Sequence, residues 1–214
     1  MTTKGEKPKY NYSAINFPIE KIHGPLPKLQ QADIIVVHIR KSFARYLLRK
    51  ATNSYWDHVA LVIFPKDVNK GQYYNQMIEA VAPSGVQIHK FDKYLKDPEK
   101  YDVGIKRVPH MDLETRSRVV SFMLMSVDAP YYRYSRLRLL LAIISKKFGQ
   151  SILGHQRFSC SGFVQKSFYE AANWNEREKF IFRKEFLSPM ELQEITTPGD
   201  IASSNNSVWI YNKH

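Results

Sequence analysis

Cysteine is almost absent from this sequence, since Cys160 is the only one in 214 residues. A single thiol cannot form a disulfide within the chain, so the fold does not depend on an oxidising compartment. One thiol also cannot supply a cysteine-rich zinc site. If this cysteine has a special role, that role rests on its own reactivity.

Long apolar runs are also missing. The longest, LLLAII at residues 139–144, is far shorter than the roughly 20 residues that cross a membrane. The first 21 residues contain no apolar stretch of signal-peptide length. We therefore expect a chain without a transmembrane segment that works in the cytoplasm, although removal of a leader would leave the same sequence.

Acidic side chains are outnumbered: 32 Lys and Arg against 20 Asp and Glu give a formal net charge of +12. This excess favours an anionic partner such as nucleic acid, a lipid surface or an acidic polymer, and it is equally compatible with a plain basic surface. The sequence has no helix-turn-helix, zinc-finger or aromatic–basic RNA motif. A non-enzymatic, basic nucleic-acid-binding module is therefore the weakest of the alternatives.

The chain has the length of one domain. Residues 1–30 are polar with scattered prolines and predict an extended N-terminal arm. Residues 31–214 are expected to form a single domain, in which the basic and apolar stretch near residues 133–156 is a helical insertion. No internal repeat or low-complexity tract is present.

Strand-like patterns dominate the first half of the chain and helix-like patterns the second. The predicted strands are residues 32–39, 58–64, 76–82, 86–91, 103–109 and 207–212. The predicted helices are residues 40–52, 112–127, 133–148, 160–171 and 188–195. This order predicts an α+β fold in which helices pack on a mostly antiparallel sheet.

The segment RFSCSGFVQKSFYEA surrounds the single cysteine. Cys160 begins an apolar helical stripe, and Ser159 before it is a suitable N-cap. The unpaired amides and the positive dipole of a helix N-terminus stabilise a thiolate and can hold an oxyanion. The alternative is a cysteine that packs as a small buried hydrophobic residue.

A thiol nucleophile needs a base, which is usually histidine. Of the seven histidines, His58 is the best placed, because it begins the strand HVALVIF. His89 and His155 are weaker candidates. The alternative for His58 is a strand-end histidine bonded to the backbone.

Glu79 is a carboxylate within the apolar strand QMIEAVA. If its face of the strand is covered, it needs a partner, and His58 on a neighbouring strand would supply one. The alternative is an edge glutamate that faces water. In that case Asp57 or a backbone carbonyl would orient His58.

These segments resemble a known superfamily. FSCSGFVQKSFYEA resembles the cysteine motif of the NlpC-type, papain-like cysteine peptidases, and DHVALVIF followed by QMIEAVAPSGV resembles their histidine segment. In the common arrangement the cysteine comes first, whereas here His58 and Glu79 precede Cys160. That order is similar to the circularly permuted YiiX-like branch, to which lecithin-retinol-acyltransferase-like proteins are related.

The resemblance implies a permuted papain-like fold with the cysteine at a helix N-terminus. It implies a cysteine hydrolase that cleaves a peptide-like amide bond through a Cys160–His58–Glu79 triad and a thioacyl intermediate, with no cofactor or metal. The Cys160 amide would hold the oxyanion. Tyr131, in a segment that resembles the family's Pro-Tyr motif, and Ser161 and Gly162 are the expected substrate-binding residues.

The substrate class stays open at this point. Peptidases of the superfamily cleave peptides with acidic residues, and a basic protein would suit such an acidic substrate. Permuted relatives also act on lipid esters and amides, so a lipid hydrolase or acyltransferase at an anionic membrane surface is the main alternative. The basic helix near residues 40–52 and the segment RLRLLLAIISKK at residues 136–147 would suit that surface, but ordinary packed helices would have the same pattern.

Overall fold

The computed structural model describes residues 25–81, 84–127, 159–183, 188 and 196–213. Within them, six strands form one antiparallel sheet. The strands are β1 (Ile34–Ile39), β2 (His58–Phe64), β3 (Gln76–Val81), β4 (Gly85–Lys90), β5 (Tyr101–Arg107) and β6 (Val208–Lys213). Their order across the sheet is β4-β3-β2-β1-β5-β6.

Five helices accompany this sheet in the described residues. They are α1 (Phe43–Thr52), α2 (Asp92–Leu95), α3 (Leu113–Leu124), α4 (Cys160–Ala171) and α5 (Pro198–Ser203). Two 3-10 segments, Val68–Lys70 and Trp174–Phe180, complete the regular structure.

Both faces of the sheet are covered, which explains why β1 reads as an unbroken apolar run, IIVVHI. Alternate residues of β2 belong to separate cores: Val59 and Leu61 pack towards α3 and α4, whereas Ala60 and Val62 pack on the other face with Phe91. The sheet is therefore the middle layer of the fold.

Helix α4 anchors one of these layers through two fully buried phenylalanines, Phe163 and Phe168. Phe168 also makes an edge contact with Phe182, their ring centroids 5.1 Å apart. Burying each such ring stabilises the fold by roughly 1.5–3 kcal/mol. Because this packing fixes α4 against the sheet, it also fixes the position of the residue at the start of the helix.

Strand β5 contains a glycine where two tryptophans meet. A Cβ atom at Gly104 would lie 2.5 Å from the ring of Trp209 and 3.1 Å from that of Trp56. No larger residue fits there without moving an indole. Two residues later, the buried Lys106 donates to the carbonyls of Ile201, Ala202 and Ser204, which ties the end of α5 to the sheet.

The structure confirms the predicted α+β class and the antiparallel sheet. The six predicted strands occur within two residues of their predicted bounds, and helices α1, α3 and α4 occur where the sequence predicts them. The short helices α2 and α5 and the two 3-10 segments were not predicted. The proposed insertion near residues 133–156 lies outside the described residues, as does residue range 189–195.

The end of the predicted N-terminal arm is visible from residue 25 onward. Residues 25–30 have no regular secondary structure, yet Leu29 is buried against the sheet and the carbonyl of Lys28 accepts a hydrogen bond from Arg107. None of the helices in the described part of the chain is long and apolar enough to span a bilayer.

Candidate active site

The start of α4 carries Cys160, which is 7% exposed. Ser159 is the N-cap residue: its hydroxyl accepts a hydrogen bond of 2.9 Å from the amide of Gly162, and its carbonyl accepts one from the amide of Phe163. The amides of Cys160 and Ser161 stand at the two preceding positions of the first turn, where no intrahelical acceptor exists. The sulfur therefore lies at a helix N-terminus whose first amides have no acceptor within the helix.

His58 is the first residue of β2 and is buried. Its Nε2 atom lies 2.6 Å from Oε2 of Glu79. Its Nδ1 atom is buried and has no hydrogen-bond partner among the described residues, while Cys160 is one of the groups that act on the ring. Nε2 therefore has a partner at hydrogen-bond distance and Nδ1 does not, and catalytic hydrogen bonds are often long before substrate binds.

Electrostatics favour an ion pair between Cys160 and His58. Burial disfavours the charged imidazole, but the neighbouring Cys160 sulfur and the Glu79 carboxylate outweigh it and raise the pKa of His58 to about 9. Burial likewise opposes the thiolate, yet the charge of the neighbouring His58, the charge of Arg45 and the amide of Val59 lower the pKa of Cys160. Both shifts favour a thiolate beside an imidazolium.

The Glu79 carboxylate is completely enclosed, with a side-chain exposure of 0%. Its Oε2 accepts hydrogen bonds from His58 and from the hydroxyl of Tyr94, the latter at 2.6 Å. Its Oε1 accepts from Nδ1 of His89 at 2.8 Å and from the ammonium of Lys93. Burial alone would raise the pKa of Glu79, but the hydrogen bonds from the two histidines and the charges of His58 and Lys93 hold it well below its usual value.

Asp57, the alternative partner for His58, is engaged elsewhere. Its carboxylate forms a buried ion pair with Arg49 and accepts a hydrogen bond of 3.1 Å from the amide of Ile39. Its carbonyl accepts a hydrogen bond of 2.7 Å from Arg45. Asp57 therefore secures α1 to the start of β2, and Glu79 is the carboxylate that contacts the histidine.

The other residues singled out from the sequence have varied positions. The side chain of Ser161 is buried and donates to the carbonyl of Thr196 at 2.7 Å, so its hydroxyl joins α4 to the segment before α5. Gly162 is buried in the first turn of α4. Tyr131 and the rival base His155 lie outside the described residues. His89, the other rival base, contacts Glu79 rather than the thiol.

Three residues near the site were missed from the sequence: Lys93, Tyr94 and Arg45. Lys93 and Tyr94 come from the short helix α2, which follows β4 with no periodic pattern long enough to reveal it. Arg45 was counted only as one of several basic residues of α1. The sequence feature that could have indicated these residues is Glu79, because a carboxylate in an apolar strand requires hydrogen-bond donors from other segments.

Comparison with known families decides the relationship. A family model described as "Permuted papain-like amidase enzyme, YaeF/YiiX, C92 family" matches residues 28–211. The chain belongs to this family. Membership in the C92 family supports an enzyme of the amidase or peptidase type, and it confirms the resemblance that the order of His58, Glu79 and Cys160 indicates.

A solved structure agrees on the fold. The crystal structure of the metalloprotein YiiX from Escherichia coli O157:H7 superposes with a TM-score of 0.55 at 17% sequence identity. The match covers 87% of this chain and 98% of that one. The C92 chain therefore has the permuted papain-like fold. A search of curated proteins found no match.

Proposed function

We propose that this C92 protein is a cysteine amidase that cleaves a peptide-like amide bond through a thioacyl intermediate on Cys160. The observation that carries the proposal is the placement of the single thiol at the N-terminus of α4, against a histidine whose other nitrogen is bonded to a buried carboxylate. Nucleophile, base and orienting group then follow one another in space as acyl transfer requires.

In the first half of the reaction the Cys160 thiolate attacks the substrate carbonyl carbon. The carbonyl oxygen becomes an oxyanion, for which the amides of Cys160 and Ser161, which have no acceptor within the helix, are the available donors. The His58 imidazolium then gives its Nδ1 proton to the departing amine, and the C–N bond breaks. A thioester remains on Cys160 and His58 is left neutral.

In the second half, neutral His58 takes a proton from water, and the resulting hydroxide attacks the thioester carbonyl. The C–S bond breaks, the acid product leaves, and the thiolate–imidazolium pair is restored. General acid–base catalysis of this kind contributes roughly 10²–10⁴ in rate. One oxyanion donor contributes about 10²–10³.

The YiiX protein of Escherichia coli O157:H7 is described as a metalloprotein. In the described part of this chain, no group of three or more His, Cys, Asp and Glu side chains is placed to hold a metal ion. Glu79, the carboxylate nearest to two histidines, already accepts four hydrogen bonds.

The test is to capture the intermediate. Purified protein is incubated with a panel of fluorogenic peptidyl amides, acyl amides and acyl esters, and intact mass spectrometry after acid quench measures acylation of Cys160. We expect amide turnover with an acyl adduct in the wild type and loss of both in Cys160→Ser. The matched control is Cys160→Ser combined with Ser117→Cys, because Ser117 is exposed on α3 and its thiol would have no histidine partner.

The outcomes separate the alternatives. Amide turnover that survives in Cys160→Ser would overturn the proposal. Turnover of esters alone, or transfer of the acyl group to an added amine in place of water, would assign the site to a lipid esterase or acyltransferase. An equal adduct on the Ser117→Cys control would mean that any exposed thiol reacts, and the adduct would carry no information on catalysis.

A further inference from the structure

The proposed reaction uses only one of the four hydrogen bonds that reach the Glu79 carboxylate. The other three come from β4 and from α2, which follows it: His89, Lys93 and Tyr94. Glu79 is fully enclosed, so its oxygens do not contact bulk solvent. These three neighbours therefore determine how strongly the negative charge of Glu79 acts on His58.

The donors are divided between the two oxygens in a particular way. Tyr94 and His58 share Oε2, at 2.6 Å each, whereas His89 and Lys93 share Oε1. Tyr94 is buried and cannot lose its proton easily, because burial and the charge of Glu79 raise the pKa of its hydroxyl. Tyr94 is thus a permanent donor that competes with His58 for the same lone pairs.

Lys93 contributes charge as well as a hydrogen bond. It is the lysine that pairs with Glu79, and its ammonium also lies 3.4 Å from Nδ1 of His89. Since that Nδ1 faces an ionised carboxylate at 2.8 Å, it must donate to Glu79, and it cannot accept from Lys93 at the same time. The ammonium also lies over the ring of Tyr94, 4.8 Å from its centroid, but the carboxylate is its ionic partner, and the ammonium offsets the negative charge of Glu79 that acts on His58.

We propose that Tyr94 and Lys93 are positioning residues that weaken the attraction of the Glu79 carboxylate for the proton of His58. This inference rests on the proposed function, because it concerns the same histidine. In a general acid, the ideal affinity for the proton is one that matches the working pH. A carboxylate that faced His58 alone would bind the imidazolium so strongly that the proton would be released slowly to the leaving amine. By donating hydrogen bonds to Glu79, Tyr94 and Lys93 keep the His58 proton available to the leaving amine.

The test measures the acid–base behaviour of His58 through the single thiol. The alkylation rate of Cys160 with iodoacetamide is followed from pH 4 to 11 by intact mass. The lower inflection reports ionisation of the thiol, and the upper inflection reports loss of the imidazolium proton, because the reactivity of the thiolate changes when its partner becomes neutral. No substrate is required, and no second cysteine interferes.

Tyr94→Phe should move the upper inflection to higher pH by about one unit, the size expected when one hydrogen bond to a charged group is removed. Its matched control is Tyr101→Phe, because Tyr101 packs edge-on against Tyr94 at 5.0 Å and donates nothing to Glu79. Besides Glu79, His58 and Lys93, the charged or titratable groups that act on Tyr94 include Tyr101 and Arg45. Circular dichroism and thermal melting show whether both variants fold.

Lys93→Met should move the same inflection in the same direction by a smaller amount, because Lys93 is 35% exposed and water screens its charge. Its matched control is Lys90→Met, which removes an equal charge from an exposed residue whose ammonium lies over the ring of Tyr74 instead. This second variant keeps the inference testable if Tyr94→Phe does not fold.

The results distinguish this inference from the proposed function. An upper inflection that stays at the wild-type position, or moves to lower pH, in both Tyr94→Phe and Lys93→Met would overturn the inference while leaving the triad intact. A wild-type profile with a single inflection at the pH of a free cysteine would instead overturn the ion pair and the proposed function with it. Shifts in both variants, with none in Tyr101→Phe and Lys90→Met, would support the inference.

Discussion

The Nε2 atom of His58 lies 2.6 Å from Oε2 of Glu79, and the two residues belong to adjacent antiparallel strands. An ionised carboxylate only accepts hydrogen bonds, so Nε2 must carry a proton. In the mechanism that we propose, the nitrogen that exchanges a proton with Cys160 is then Nδ1. The pairing of β2 with β3 thus determines both the orientation of the ring and its tautomer.

The pH dependence of the wild-type protein follows from the two opposed shifts. The thiol of Cys160 has a lowered pKa and His58 has a pKa raised to about 9, so the thiolate–imidazolium pair is the main form between the two values. Alkylation by iodoacetamide should reach its plateau well below ~8.5, the pKa of a free cysteine. The value of kcat/KM should rise as the thiol ionises and fall above about 9, when His58 loses the proton that the leaving amine needs. Activity that kept increasing beyond that pH would contradict the assignment of His58 as the acid.

Replacing Glu79 with Gln should lower kcat/KM more than the sequence alone suggests. From the sequence, Glu79→Gln is expected to retain much of the rate, because an amide keeps one acceptor oxygen. In the structure every neighbour of the carboxylate is a donor, so the new NH₂ group would face two donors. We therefore expect Glu79→Gln to lower kcat/KM by roughly 100-fold or more, close to Glu79→Ala, with His58→Ala lower still.

The measurement is kcat/KM on the best amide of the substrate panel, with circular dichroism to confirm that each variant folds. Glu170→Gln is a suitable control, because it makes the same chemical change on α4 at an exposed position. Wild-type rates for Glu79→Ala would show that the carboxylate has no part in orienting His58.

Arg45 should affect the thiol from outside the triad. Its charge lowers the pKa of Cys160, and its guanidinium is held near the site by a hydrogen bond of 2.7 Å to the carbonyl of Asp57. Arg45→Met should therefore raise the pH at which Cys160 begins to react with iodoacetamide. Lys50→Met removes a charge from the exposed side of the same helix and should leave this pH unchanged. Equal behaviour of the two variants would show that only the net charge of the protein matters.

Gly104 should be sensitive to the smallest enlargement. A methyl group there meets the indoles of Trp209 and Trp56 and a methyl group of Val36. We expect Gly104→Ala to lower the free energy of unfolding by about 1–3 kcal/mol. For a protein of this size that corresponds to a fall in Tm of roughly 2–12 °C. Differential scanning calorimetry provides the measurement, with the exposed Ser117→Ala as the control, and an unchanged Tm would mean that the tryptophans can rearrange freely.

The parts of the fold that the sequence predicts are those with strong local patterns. The apolar, β-branched runs of β1 and β2 identify strands, and the stripe from Cys160 to Ala171 identifies α4. His58 could be selected because it begins such a strand. These features depend on neighbours within a few residues, where periodicity carries the information.

The parts that the sequence does not predict depend on contacts between distant segments. Lys93 and Tyr94 reach Glu79 only because α2 folds back against the sheet, where it packs on β5, and a helix of four residues has no periodic pattern. The hydrogen bond that the Ser161 hydroxyl donates to the carbonyl of Thr196, in a later segment, has no counterpart in the sequence pattern, and the predicted role of Ser161 in substrate binding stays a prediction. Tertiary packing determines such pairings, and local sequence patterns carry no information on it.

Cys160 reaches the start of β2 from the layer that contains α3 and α4, whereas His58 and Glu79 lie with the opposite layer. The ion pair therefore exists only while α4 is docked on the sheet. If α4 undocks while the strands stay paired, the thiol loses its partner and reverts to ordinary reactivity, with no large change in circular dichroism. The alkylation rate of Cys160 at mildly acidic pH therefore reports undocking of α4. This measurement would distinguish local opening of one helix from unfolding of the whole protein.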